Sequence, residues 1–253
     1  MAKERIQKLL SDAGVASRRQ AEELVLQGRV TVNRLVVRAL PCFVDPEADE
    51  VRVDGEAVRL RASRQQYILL NKPAGVSCAF RAAHGRQGPH AAEDDRPSVY
   101  DMLPPSRPPL HCTTPLNTSD AGLVFLTGDG QLAQELRHPR YRLEKTYHVE
   151  VEGAVSPAAL EALKKGVKFG RWRTEAAEVK VLRREPDRTF LEVRIAEAKS
   201  GELRRILALA GQKPRRLRRI AIGPLGERGV KVGTWRRLSH GEVDALRKAI
   251  WRR

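Results

Sequence analysis

The stretch Thr114-Pro115-Leu116-Asn117-Thr118-Ser119-Asp120-Ala121-Gly122-Leu123 sets an amide three residues ahead of a carboxylate, at the entrance to the apolar run Leu123-Val124-Phe125-Leu126. The two groups have different chemistry. A carboxylate can attack an electrophilic carbon or hold a developing cation, whereas an amide has a delocalised nitrogen lone pair, a weakly nucleophilic oxygen and no charge. Three residues of extended chain displace a side chain by about 10 Å and turn it to the opposite face, so Asp120 is no simple stand-in for a group at 117. By position it reads as a solvated turn residue. Two further carriers of chemistry stand downstream. Tyr147 lies in Leu143 to Gly153, whose alternation puts Tyr147, Val149 and Val151 on a core face and Thr146, His148 and Glu150 on the other, with His148 a surface histidine. Arg204 lies in Glu197 to Leu207, where Leu203, Ile206, Leu207 and Ala210 recur at helical spacing, with Ser200 as N-cap and Gly211 as the stop.

Metal chemistry is not indicated. Cys42, Cys78 and Cys112 are an odd, widely spaced set without a C-x-x-C pair, and neither a disulfide framework nor a zinc cluster follows from them. His111 beside Cys112, with His84 and His90 upstream, makes a metal site only on paper.

The charge balance points to a polyanion. Lys and Arg number 47 against 31 Asp and Glu, a formal net charge of +16 in 253 residues. Such a field attracts phosphate backbones over a Debye length of roughly 8 Å at physiological salt. No run of about 18 apolar residues exists, and the start Met1-Ala2-Lys3-Glu4-Arg5 lacks the apolar core of a signal peptide, so a cytoplasmic protein without membrane attachment is expected.

The elements divide into a small front module, 1–62, and a larger domain, 67–253, joined by the polar stretch Arg61 to Gln66. Ile6, Leu9, Leu10 and Ala13 mark a first helix stopped by Gly14. Ser17-Arg18-Arg19-Gln20 has capping-box spacing and opens a second, with Ala21, Leu24 and Val25 on one face and Gly28 at its end. Gly28 to Arg34 reads as a strand. Lys8, Arg18, Arg19, Arg29 and Arg34 form the candidate basic face. Arg5-Ile6-Gln7-Lys8-Leu9-Leu10, Gly14-Val15-Ala16-Ser17-Arg18-Arg19 and Gly28-Arg29-Val30-Thr31-Val32-Asn33 resemble the RNA-binding module shared by a small-subunit ribosomal protein and tyrosyl-tRNA synthetases, which implies structured RNA as ligand.

In the larger domain, Tyr67 to Val76 joins a buried strand to a Pro/Gly turn, Ala79 to Asp95 reads as a long surface loop, and Gly128-Asp129-Gly130 turns into a helix near Gln131. Ser239-His240-Gly241-Glu242 is a capping box for a final helix. Leu70-Asn71-Lys72-Pro73-Ala74-Gly75, the segment Arg96 to Pro104, Leu116 with Gly122-Leu123, Leu126-Thr127 and Asp129-Gly130, Glu144-Lys145-Thr146-Tyr147, and Arg219 to Leu225 together resemble the bacterial ribosomal-RNA pseudouridine synthases. The resemblance spans nearly the whole chain. It implies an α+β fold, with a mixed, mainly antiparallel sheet and a central cleft, and chemistry that needs no cofactor or metal.

Members of that family usually read G-R-L-D-x-x-T-x-G-L-L-L-L-T-N-D-G where this chain has Thr114 to Gly130. Pro115 therefore falls on the usual arginine and Asn117 on the aspartate that acts on a uridine flipped out of the RNA. Tyr147 falls on the tyrosine placed against the target base. Arg204 falls on the arginine that pairs with the catalytic aspartate, while Gly201 and Glu202 replace a basic residue and a glutamine. With Asn117 opposite, Arg204 is expected to be free for phosphate or for Glu202. Lys72 and the run Arg215, Arg216, Arg218 and Arg219 are expected to meet RNA. The favoured reading is a monomeric ribosomal-RNA binder with a dismantled active site, acting in ribosome assembly or on the ribosomal subunit. The alternatives are an active uridine isomerase with a displaced nucleophile and a binder of messenger or transfer RNA.

Overall fold

A computed structural model of the chain describes residues 3–16, 18–58, 60, 65–79, 96–104, 110–169, 172–196 and 201–251. The expected caps Ser17 and Ser200, linker residues 61–64 and loop residues 80–95 lie outside them. The chain divides into two compact units, 1–66 with 105–111, and 67–104 with 112–253.

In the first unit the helical periodicity closes a small core. Helices Ile6–Asp12 and Arg18–Leu26 bury Ile6, Leu9, Leu10, Ala21 and Val25 together with Val30, Val44 and Val51. Gly14 and Gly28, with φ of 74° and 71°, end the helical stretches in a conformation that costs glycine little. A four-stranded antiparallel sheet runs in the order Leu35–Val37, Val30–Val32, Val51–Val53, Glu56–Val58. The strand expected over Gly28 to Arg34 is shorter than its composition suggests. Val32 pairs with Leu35, and Asn33 and Arg34 between them both take positive φ, 50° and 68°. That is the geometry of a two-residue hairpin turn matched to the twist of its strands, and it leaves Arg34 exposed at the tip.

The second unit is built on a mixed sheet in the order Glu178–Arg184, Arg188–Ile195, Lys145–Glu152, Pro214–Ile222, Ala121–Thr127, Tyr67–Lys72, Trp235–Arg237. Every neighbouring pair along this path is antiparallel except Pro214–Ile222 with Ala121–Thr127, which is parallel. Gly122 makes that seam possible. It sits at φ +113°, and a Cβ there would lie 2.2 Å from the carbonyl oxygen and 2.4 Å from the nitrogen of Arg219. Helices Pro157–Lys165 and Glu202–Leu209 pack on a core of Tyr147, Val149, Val151, Leu191 and Val193. Helices Gly130–Arg137 and His240–Trp251 share a second core with Leu69, Leu123, Phe125 and Ile222.

The capping signals act as expected. Asp129 accepts the Leu132 N–H at 3.0 Å, and Ser239 and Glu242 bond reciprocally through the Ser239 N–H at 2.9 Å and the Glu242 N–H at 3.3 Å. Hydrogen bonds from the Arg236 guanidinium, then those from Ser239, hold the Glu242 carboxyl at about 2 against an ordinary 4.5. Because the folded value is depressed, this stabilisation is present above pH 4.5 and is lost as pH falls from there towards 2. The pair is partly exposed, so its worth is below about 1 kcal/mol. Glu242→Gln is expected to lower the urea midpoint at pH 7 slightly and to leave it unchanged at pH 2, relative to the unaltered protein.

Candidate functional site

The Lys72-Pro73-Ala74-Gly75 turn works as a grip on the segment that carries Asn117. The Asp120 N–H closes the turn on the Asn117 carbonyl at 3.1 Å, and the Thr118 carbonyl accepts from the Gly75 N–H at 2.8 Å and from Lys72 Nζ at 3.3 Å. Lys72 also donates to the carbonyls of Pro73, at 3.0 Å, and Val76, at 2.8 Å. Its side chain is fully buried, and burial pushes its ammonium below the ordinary value. The expected RNA contact at Lys72 is thus corrected to a structural one: three backbone carbonyls take the place of water and phosphate.

Asp120 departs furthest from expectation. Instead of standing in solvent it is 2% exposed, and its carboxylate accepts from Arg204 at 2.6 Å. Arg204 also donates to the Pro214 carbonyl at 2.8 Å, while its buried Nε has no partner among the described residues. Arg204 is therefore neither released to phosphate nor dependent on Glu202. Extended-chain spacing puts Asp120 in a solvated turn, whereas the 117–120 turn rolls it inward and leaves Asn117 exposed. Asn117 nonetheless remains over the helix that carries Arg204. A Cβ on Gly201, the N-cap of Glu202–Leu209, would fall 2.7 Å from the Asn117 amide nitrogen. Gly201 holds φ +78°, a left-handed conformation that also suits glycine.

Arg219, expected at an RNA surface, is 1% exposed. Its Nε donates to the Leu123 carbonyl at 2.7 Å, one terminal nitrogen donates to the Thr114 carbonyl, and the other to Tyr147 Oη at 3.3 Å. The guanidinium carbon is 5.9 Å from the Tyr147 ring centroid. One buried cation thus ties together the approach to Asn117, the strand after it and the tyrosine. The signal was present in the sequence: Arg219 shares strand parity with buried Leu217, and the surrounding charge run concealed it. Tyr147 is 1% exposed on the core face, as its alternation predicts, and His148 is on the surface beside Glu192 at 3.5 Å.

Of the remaining basic residues of the run, Arg215 and Arg216 are exposed and Arg218 is half-buried, and all three are matched by acids. Arg215 lies 3.9 Å from Glu152 and 3.6 Å from Asp187, Arg216 lies 3.9 Å from Glu150, and Arg218 pairs with Glu227 at 2.6 Å. In the first unit Lys8 pairs with Glu4 at 2.8 Å and Arg29 with Asp54 through two bonds of 2.8 and 2.5 Å. Arg18, Arg19 and Arg34 are exposed. Among the described residues no group of His, Cys, Asp and Glu is arranged to hold a metal ion.

A small helical and β module is followed by a mixed-sheet domain that brings a turn, a buried tyrosine and an arginine-bearing helix together. The model of the RNA pseudouridylate synthase family matches residues 66–209, that of the S4 domain matches residues 4–39, and the chain belongs to the RNA pseudouridine synthase family. It is 39% identical over 250 residues to an uncharacterised RNA pseudouridine synthase of Aquifex aeolicus, covering 99% of this chain and 96% of the relative. It is 33% identical over 248 residues to the ribosomal large subunit pseudouridine synthase B of Bacillus subtilis, covering 96% of each. A crystal structure of a pseudouridylate synthase superimposes with a TM-score of 0.64 at 26% identity, covering 96% of this chain and 99% of that one. In the register of the family pattern the usual threonine falls on Asp120. This chain carries an amide at 117 and a carboxylate at 120, and Arg204 pairs with the carboxylate.

Proposed function

We propose that this protein binds ribosomal RNA, of the large subunit by analogy with its named relatives, without isomerising uridine. The observation that carries the reading is the exchange around Arg204. The exposed side chain in the family's nucleophile position is an amide, and the carboxylate three residues on is buried and bonded to the arginine. An aspartate in that pairing neutralises the guanidinium and keeps the helix seated, but its burial withholds it from a ribose carbon, and attack requires contact. Pro115 and Gly201-Glu202 depart from the family pattern at the same site, which fits loss of a whole function better than a single exchange. RNA is the partner that the S4 module and the family imply. Arg18, Arg19 and Arg34 supply exposed cations on the S4 module, and Arg215, Arg216 and Arg218 supply partly matched ones on the synthase domain. The protein acts as a monomer in the cytoplasm, on the ribosomal subunit or its precursor.

A second reading, an isomerase that uses Asp120, is favoured by the same Asp120 to Arg204 bond, since that arginine holds the catalytic aspartate in family members. The two part on product. Equilibrium binding to large-subunit ribosomal RNA across a salt series tests the shared element. Log K is expected to fall linearly with log salt as phosphate counterions are released, by about 0.7 to 0.9 per contacted phosphate. Weak binding indifferent to salt would sink both readings, and pseudouridine in the bound RNA would sink the first.

A further inference from the structure

Strand alternation sets a half-exposed aromatic ring among cations in the first unit. Glu4–Arg5 pairs antiparallel with Phe43–Val44, so that Arg5 stands opposite Phe43, and the Ile6 N–H donates to the Cys42 carbonyl at 2.9 Å. Val44 is fully buried in the core, and alternation therefore sends Phe43 outward, with Arg5 beside it. Phe43 is left 51% exposed. One exposed apolar side chain needs no explanation by itself. This one lines an open cavity of about 350 Å³, within the roughly 300 to 1,000 Å³ of small-ligand sites.

The wall of the cavity has the groups that a nucleotide needs. The two helices contribute Gln7, Lys8, Arg18 and Glu22, and the chain before them contributes Lys3 and Glu4. Both acids are already engaged: Glu4 accepts from Lys8 at 2.8 Å, and Glu22 accepts from Gln7 Nε2 at 3.2 Å. Lys3, Arg5 and Arg18 are exposed and give the cavity a cationic rim. The other end of the Gln7 amide, Oε1, is a buried acceptor with no hydrogen-bond partner among the described residues. A donor brought by a ligand would remove that cost. An aromatic face, a cationic rim and an acceptor match the three parts of a nucleotide, which are a flat base, a phosphate and the N–H groups of the base's pairing edge. A base inside a duplex offers neither its face nor that edge, so the fit is to an unpaired one.

We propose that this cavity captures one unpaired nucleotide of the bound RNA, its base stacked on Phe43 and its phosphates at Lys3, Arg5 and Arg18. The proposal rests on the RNA-binding reading above and adds to it the place where single-stranded structure is recognised. It involves neither Asn117 nor the Asp120 to Arg204 pair, which belong to the other unit. Arg19 and Arg34, exposed cations of the same S4 module, are not among the described residues of its wall.

The test measures equilibrium binding of the full-length protein to large-subunit ribosomal RNA across a salt series, with Phe43→Ala and Phe43→Tyr beside the unaltered protein. Phe43→Ala is expected to weaken binding by about 5- to 150-fold, the worth of one stacked base. The slope of log K against log salt is expected to stay the same, because no phosphate contact is lost. Phe43→Tyr keeps the ring and is expected to keep the affinity. Ultraviolet irradiation of the unaltered complex, then nuclease digestion and peptide mapping, is expected to leave a nucleotide adduct on Phe43. Unchanged affinity in Phe43→Ala, equal weakening in Phe43→Tyr, or adducts confined to other peptides would overturn the proposal and leave RNA binding itself standing. Absence of salt-dependent binding by the unaltered protein would remove both. The adduct map of the unaltered protein decides the matter whether or not Phe43→Ala folds.

Discussion

Arg219→Met lowers the free energy of unfolding by about 3 to 5 kcal/mol, and it does so without RNA present. The side chain is among the largest that are fully buried, and its nitrogens satisfy the Leu123 and Thr114 carbonyls and Tyr147 Oη. Methionine fills most of the volume but donates nothing, so acceptors stay in the interior without their partner. Arg216→Ala, from the same charge run but with a side chain 86% exposed, is expected to change stability by no more than about 0.5 kcal/mol. Urea denaturation of the two variants checks the contrast. Were Arg219 an RNA contact, as its place in the run suggests, Arg219→Met would instead keep its urea midpoint and lose RNA affinity.

The second large effect concerns the exchange around Arg204. The unaltered protein is expected to make no pseudouridine, because replacing a catalytic carboxylate by an amide raises a barrier by more than about 5 kcal/mol, several orders of magnitude in rate. Asn117→Asp alone restores little. The new carboxylate meets an arginine already bonded to Asp120 at 2.6 Å, and two carboxylates then share one guanidinium. Asn117→Asp with Asp120→Thr removes the competitor and returns both positions to the family pattern. Arg204 can then turn to residue 117, which already lies against Gly201 at the start of the same helix. Product from the double variant should exceed that from the single one by at least about tenfold, the equivalent of one 1.4 kcal/mol step. Equal product from both would mean that Asp120 does not hold Arg204 back. Loss of activity on adding Asp120→Thr would mean that Asp120 is itself the reacting group.

The parts legible in sequence were those set by periodicity and by local turn chemistry. Alternation placed Tyr147 inside and His148 outside, heptad-like spacing placed Leu203, Ile206 and Leu207 in the core, and Ser239 with Glu242 formed the expected box. What failed were charges whose burial depends on distant backbone. Lys72 and Arg219 look like surface cations in one dimension, yet Lys72 is surrounded by the carbonyls of Pro73, Val76 and Thr118, and Arg219 by those of Leu123 and Thr114. Asp120 was misplaced for the same reason. A tight turn rotates a side chain in a way that extended-chain spacing does not describe, and its partner lies 84 residues along the chain.

Chemical mapping of pseudouridine in large-subunit ribosomal RNA, after incubation with the unaltered protein, decides between a binder and an isomerase. The expected result is RNA retained in a salt-sensitive complex with no pseudouridine above the level of RNA incubated alone. Site-specific pseudouridine formed by the unaltered protein and abolished by Asp120→Asn would contradict it, and would make the buried carboxylate on Arg204 the working nucleophile.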